Sequence, residues 1–178
     1  MMKRIVYYLL IYLCNYWVAF FPCLRFRLWF YRRIMGFVIG EKTTIMLGAR
    51  FSAPRRLKIG QNCVINENCV FGNRGSIVIG DCVVIAPDCH LRSGDHDMNA
   101  PEFPSRYATI QIGDHVFVGL RAAILKGVTI GKGAVVCASA LVSKNVGDFD
   151  IVGGVPAKKI GVRKGELLYR PDWKPLFQ

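Results

Sequence analysis

The chain has 178 residues, 52% of them apolar and 20% charged, with a formal net charge of +12. That composition supports one domain with its own core and excludes a disordered polymer. The charge is uneven: residues 1–36 hold six bases and no acid, residues 155–178 hold six bases and two acids, and the middle is left with +2. No helix-turn-helix, zinc-finger or RNA-binding motif accompanies this excess, so nucleic acid is not expected as a partner. Basic ends around an apolar segment fit a membrane surface or an anionic ligand.

Residues 5–21, IVYYLLIYLCNYWVAFF, carry no charge, and 17 residues is the short limit for a spanning helix. The Tyr, Trp and Phe content suits the boundary between lipid and water. Pro22 ends the run, and residues 23–35 mix aromatics with four arginines. As a helix, that second stretch puts Arg25, Arg32 and Arg33 on one side and Arg27 opposite. No small-x-small cleavage site follows, which argues against a signal peptide. Residues 1–37 are therefore expected to form a helical segment that meets the membrane through residues 5–35. It would do so as an interfacial or shallow re-entrant helix pair, or as a spanning helix. A helix packed only against protein is the alternative.

From residue 39 a large apolar side chain recurs every six positions: Ile39, Ile45, Phe51; Ile59, Ile65, Phe71; Ile79, Ile85, Leu91. After a break the series resumes at Ile112 and runs through Val118, Ile124, Ile130, Val136 and Val142. The next position is often Gly, and the fifth position of each hexad is small, as in Ala49, Cys63, Cys69, Cys89, Ala122, Ala134 and Ala140. A period of six fits neither an α-helix nor an alternating strand. It fits a triangular coil of three short strands, with the large residue inside the prism and the small one near a tight corner. The tetrads LKIG (57–60), IVIG (77–80), IQIG (110–113) and VTIG (128–131) mark equivalent places, with spacings of 20, 33 and 18 residues. Eighteen is one coil, and twenty is a coil with a two-residue corner insertion. Thirty-three is a coil plus an insertion loop, placed at 97–111. The predicted fold is all-β: a left-handed parallel β-helix of about five coils over 38–161, each coil covering the next. Residues 162–178 form a C-terminal tail. Of the seven cysteines, Cys63, Cys69 and Cys89 take the small position. They read as buried thiols in a reducing compartment, with a disulfide framework or metal cluster as the alternative.

His96 lies in Ser93-Gly94-Asp95-His96-Asp97, where the last regular hexad gives way to the insertion. An imidazole at a coil edge can face a cleft and take a proton from an alcohol, and Asp95 or Asp97 can orient it. A solvated loop histidine is the alternative. His90 falls on a surface position and His115 on a corner, and both read as structural.

The hexads, with the closing IVGGVPAKKIG (151–161), resemble the hexapeptide-repeat acyltransferase superfamily over 124 of 178 residues. Within it the chain is most similar to the maltose and galactoside O-acetyltransferase branch and to relatives that acetylate capsule, colanic-acid or O-antigen sugars. The resemblance implies an acetyl-CoA-dependent O-acetyltransferase acting on a sugar or a lipid- or nucleotide-linked sugar. It implies a homotrimer without a required metal, at the cytoplasmic face of a bacterial inner membrane. It assigns His96 as general base and Asn66 as an acceptor contact, a corner residue tolerating left-handed backbone being the alternative for Asn66. At the corner formed by Asn73 and Arg74 the relatives carry acidic acceptor contacts, a departure that makes an anionic sugar an expected acceptor. Asp95 and Asp97 complete the acceptor side. For the coenzyme it carries over Phe117, Leu120, Ala138, Ser143 and Lys144. Lys158, Lys159 and Arg163 supply positive charge at the coil end for its phosphates, with solvated surface as the alternative. The Leu120 amide is the expected oxyanion donor. An acceptor amine, on an amino-sugar or serine, is the nearest alternative. A zinc hydratase of the same fold needs three convergent histidines, which the spacing 90, 96, 115 does not resemble. A catalytically inactive structural trimer is the remaining reading.

Overall fold

The computed structural model describes residues 1–171 and residue 173. The hexads fold into a parallel β-helix with three faces. The first face stacks Val38–Ile39, Leu57–Ile59, Ile77–Ile79, Ile110–Ile112 and Thr129–Ile130. The second stacks Thr44–Ile45, Val64–Ile65, Val84–Ile85, Phe117–Val118, Val135–Val136 and Asp150–Gly153. The third stacks Arg50–Phe51, Val70–Gly72, His90–Arg92, Ala123–Leu125 and Leu141–Val142.

Register follows the repeat. Ile39 pairs with Ile59, Ile59 with Ile79, Ile79 with Ile112 and Ile112 with Ile130, so identical side chains stack along the axis. Every large hexad residue is buried, and Ala49, Cys63, Cys69, Cys89, Ala122, Ala134 and Ala140 fill the corners beside them. The corners need left-handed backbone, which is why Asn62, Asn68, Asp88 and His115 have φ between 53° and 59°.

Five coils are complete, and a sixth begins. Val146 bridges to Ile130, Asp150–Gly153 extends the second face, and Lys158–Val162 folds back antiparallel on it. The insertion differs from the expected 97–111. Gly94–His96 pairs antiparallel with Ser105–Tyr107, so it is a hairpin, and the coil has already resumed at the buried Ile110. The charge pairs of Arg106 with Asp95 and Asp97 hold its two arms together.

Helix α1, Met2–Tyr16, and helix α2, Leu24–Arg33, close the open end of the first coil. Tyr31 and Phe37 pack on Phe51, and the Ala19 carbonyl accepts the Gly48 amide. Asn15 both donates to the Phe51 carbonyl (2.9 Å) and accepts its amide (2.9 Å), as a strand edge would. Arg27, on the opposite side of α2 from Arg25 and Arg33, is fully buried and donates to Phe21 O (2.6 Å) and Ile45 O (2.9 Å). The hairpin therefore packs against protein along one side. Its other side leaves Leu9, Tyr12, Trp17, Phe21, Phe26 and Trp29 exposed. Among the described residues no helix is long and apolar enough to cross a membrane. Fifteen residues of α1 reach about 22 Å, against about 30 Å of hydrocarbon.

Candidate active site

The third face ends in a corner whose chain is longer than the others, and this corner carries the candidate site. In the second coil Asn73 turns inward from it and is fully buried. Its Oδ1 accepts the amides of Ser52 (2.9 Å) and Ala53 (3.0 Å), and its Nδ2 donates to Ala53 O (2.8 Å). In the third coil Ser93 does the same one level up, donating to Gly72 O (2.6 Å) and accepting from the Gly75 amide (2.8 Å). Asn73 is thus not the expected acceptor contact, because its amide is spent on the backbone of the neighbouring coil. Arg74, the next residue, is exposed and does face the site.

The fourth coil is reached through the inserted hairpin, which presents His96. Its Nδ1 lies 2.9 Å from Phe103 O, and its ring stacks on the Phe103 ring at 4.5 Å and 8°. A carbonyl only accepts, so Nδ1 carries the hydrogen of the neutral ring and Nε2 is left with a lone pair. Phe103 therefore fixes both the tautomer and the ring plane, the part expected of Asp95 or Asp97. Those carboxylates are engaged elsewhere. Asp95 takes Arg106 at 3.0 Å and Lys126 at 3.6 Å, and Asp97 takes Arg106 at 3.6 Å. The hydrogen bond from Arg106, and to a lesser degree the charge of Lys126, hold Asp95 below the usual carboxylate range.

An open cavity of about 270 Å³ lies against His96, lined by Ser52, Gly72, Arg74, Arg92, Gly94, Asp95, Ser105 and Tyr107. Two glycines make room for its walls. A Cβ on Gly94 would stand 2.6 Å from the Tyr107 ring, and one on Gly72 would stand 2.9 Å from Arg92 Cδ. Asn66 does not line this cavity. It sits at the corner between the second and third faces, where its Nδ2 donates to Ile85 O (2.8 Å).

That same corner carries Leu120 and Ala138 two and three coils further on, both exposed. The Leu120 carbonyl accepts the Ser139 amide at 2.7 Å, while the amides of Leu120 and Ala138 donate to no backbone carbonyl among the described residues. Phe117 is exposed on the adjoining second face. Ser143, Lys144, Lys158 and Lys159 come together around a second cavity of about 370 Å³ at the last coil, where Lys159 pairs with Asp150 at 2.6 Å. Arg163 does not join them. The antiparallel turn carries it to the opposite corner, where it donates to His115 O (2.9 Å) and Gly133 O (3.3 Å) and packs on Tyr169. It is a clamp for the C-terminal tail, not a phosphate contact. Of that tail, residues 172 and 174–178 lie outside the described residues. His115 is the corner residue that accepts the clamp, and His90 stands exposed on the third face. The three histidines do not converge, and no group of three or more metal-ligating side chains gathers among the described residues.

Sequence reasoning missed Phe103, Arg106, Tyr107 and Arg92. The alternation Ser105-Arg106-Tyr107 was the one signal of a strand in the insertion, and it does not give the register that sets these residues against His96.

Residues 109–144 match the model of the hexapeptide repeat of succinyl-transferase. YvoF, an inferred acetyltransferase of Bacillus subtilis (strain 168), is 30% identical over 141 residues, covering 78% of this chain and 68% of that protein. The chain belongs to the hexapeptide-repeat acyltransferase family. A second member, WcaF of Escherichia coli (strain K12), is an inferred colanic acid biosynthesis acetyltransferase. It is 29% identical over 134 residues, covering 75% of this chain and 74% of that protein. The solved structure of a galactoside acetyltransferase in complex with coenzyme A superimposes with a TM-score of 0.80 at 27% identity. The match spans 92% of this chain and 82% of that one. This family member spans only 42%, 50% and 62% of the length of three further curated relatives.

Proposed function

We propose that the chain is an acetyl-CoA-dependent O-acetyltransferase that acetylates a hydroxyl of a sugar in surface-polysaccharide biosynthesis. The observation that carries this reading is His96, held by Phe103 O at Nδ1 with Nε2 free beside an open polar cavity. The sugar hydroxyl gives its proton to Nε2, and its oxygen attacks the thioester carbonyl. The tetrahedral oxyanion takes the unpaired amide of Leu120. As the C–S bond breaks, the His96 imidazolium returns the proton to the leaving thiolate, giving the acetyl ester and free coenzyme A. The pantetheine arm runs along the corner of Leu120 and Ala138, past Phe117, and the phosphates rest on Lys144, Lys158 and Lys159 near Ser143. This chemistry asks for no metal.

Within one chain His96 and the Leu120–Ala138 corner lie at opposite edges of the third face. We place the complete site between two copies, one giving His96 and the other the amide corner, in a homotrimer. Asn66 shares the amide corner and reaches an acceptor only in such an arrangement. The exposed aromatic side of α1 and α2, with Arg4, Arg25, Arg32 and Arg33 around it, lies on the cytoplasmic face of a bacterial inner membrane, where acetyl-CoA is available.

Thiol release from acetyl-CoA against a panel of free, nucleotide-linked and lipid-linked sugars tests the reading. Acceptor-dependent release that falls about 100-fold or more in His96→Ala supports it, that being the scale of a lost general base. Release that survives the substitution would remove His96 from the mechanism.

A further inference from the structure

The wall beside His96 is built from arginines that no carboxylate among the described residues neutralises. Arg92 extends over Gly72, and Arg74 stands at the corner one coil below. Arg56, a further coil below, donates through Nη1 to the Arg74 carbonyl. Among the described residues none of the three is in an ion pair. The ion pairs at this edge are those of Arg106 with Asp95 and Asp97 and of Lys126 with Asp95, so the one acid lining the cavity is already answered. Like charges collected on one wall repel each other until an anion arrives.

Part of that field reaches the Tyr107 hydroxyl. Its pKa is drawn below the ordinary phenol value, first by the Ser105 hydroxyl and then by the Arg74 guanidinium, with Arg56 adding to the pull. Arg74 and Tyr107 also form the partition between the His96 cavity and a second one, of about 380 Å³, that contains Arg56 and ends at Tyr7 of α1. The arginine wall thus runs from the imidazole to the helix whose far side is apolar and exposed.

We propose that this wall is a phosphate seat: the acceptor is a phosphorylated saccharide whose phosphate is held by Arg74 and Arg92, with Arg56 adding positive charge from the adjoining cavity, while His96 faces one of its hydroxyls. Guanidinium forks match phosphate oxygens in pairs, which a neutral sugar cannot reproduce. The inference rests on the acetyltransferase reading for the role of His96, but the seat itself is a matter of binding.

The test is therefore titration calorimetry of the full chain without acetyl-CoA, using pyrophosphate, glucose 1-phosphate and glucose as probes. Pyrophosphate reports the seat whatever the sugar. Saturable binding of the two phosphates is expected, at least about tenfold weaker for glucose, falling as salt rises and falling about tenfold or more in Arg74→Gln/Arg92→Gln. Glucose binding as well as glucose 1-phosphate overturns the proposal, and so does the absence of phosphate binding at low salt. Phosphate binding that persists unchanged in the double variant overturns it too, by moving the anion to Lys144, Lys158 and Lys159. A second arm compares vesicles with and without polyprenyl phosphate. Arginine-dependent binding to the former assigns a lipid-borne phosphate, and its absence beside glucose 1-phosphate binding assigns a soluble one. Failure of acetyl transfer with phosphate binding intact would count against the enzymatic reading alone.

Discussion

Replacing Asn73 with Leu keeps the approximate volume and removes every hydrogen bond through which this side chain pins the corner of the first coil. The Ser52 amide retains a second acceptor, Phe71 O at 3.1 Å, so it is not stranded. The Ala53 amide and carbonyl lose their Asn73 partners, and Ala53 is buried. Two buried groups left unsatisfied at about 1–3 kcal/mol each give an expected loss of about 4 kcal/mol. Urea denaturation followed by far-ultraviolet circular dichroism reads this as a lower midpoint at unchanged slope. A loss under about 1 kcal/mol, joined to a raised acceptor KM, would refute the structural account and restore Asn73 to the acceptor site.

Thiol reactivity separates the cysteines: at pH 8 iodoacetamide should modify exposed Cys23 first, and Cys14 and Cys63 only after unfolding, as mass spectrometry of the adducts would show. Burial pushes Cys14 up to about 12 and Cys63 up to about 11, so above pH 9 the unfolded chain loses protons that the folded chain keeps. Stability is then level below pH 9 and falls as pH rises toward 12, each thiol removing at most about 1.4 kcal/mol for every pH unit climbed. A urea midpoint unchanged at pH 10.5 would count against it. At the membrane, four exposed arginines at about 1 kcal/mol each should make sedimentation with phosphatidylglycerol vesicles more than tenfold stronger than with phosphatidylcholine. Trp17→Asp/Phe21→Asp should abolish it.

The hexads were legible because each position is enforced repeatedly. Ile59 must match Ile39 below it and Ile79 above it, so five coils speak with one pattern. The closing sixth coil escaped because Val146 meets Ile130 in a single bridge, too short to register as a hexad. Arg27 was readable as the odd arginine of its helix, though not as a buried one: nothing local says that the carbonyls of Phe21 and Ile45 wait for it. His96 was found by its neighbourhood, but its partner was not. The carbonyl of Phe103 is seven residues away along a loop, and a backbone oxygen leaves no mark on side-chain identity. Asn73 and Arg74 were read as a pair, yet they point opposite ways. A corner longer by two residues has amides to satisfy inside and room for a cation outside.

That extra length explains where the site lies. The spacings of 20 and 33 residues both place their surplus at the corner after the third face, whereas the spacing of 18 leaves the later corner tight. The surplus lifts Arg56, Arg74 and the His96 hairpin out of the prism, one above another, and Tyr7 meets the lowest level of this corner by donating to Ser52 O at 3.0 Å. The corner before the third face has no surplus, so its turns stay regular and its amides at Leu120 and Ala138 stay open in a straight column. In the proposed function the straight edge takes the thioester and the expanded one takes the saccharide. Because the two edges flank one face, the coil that stacks each of them level upon level also keeps them apart. In the proposed function a second copy brings them together, and the repeat spacing then sets which edge each copy would offer.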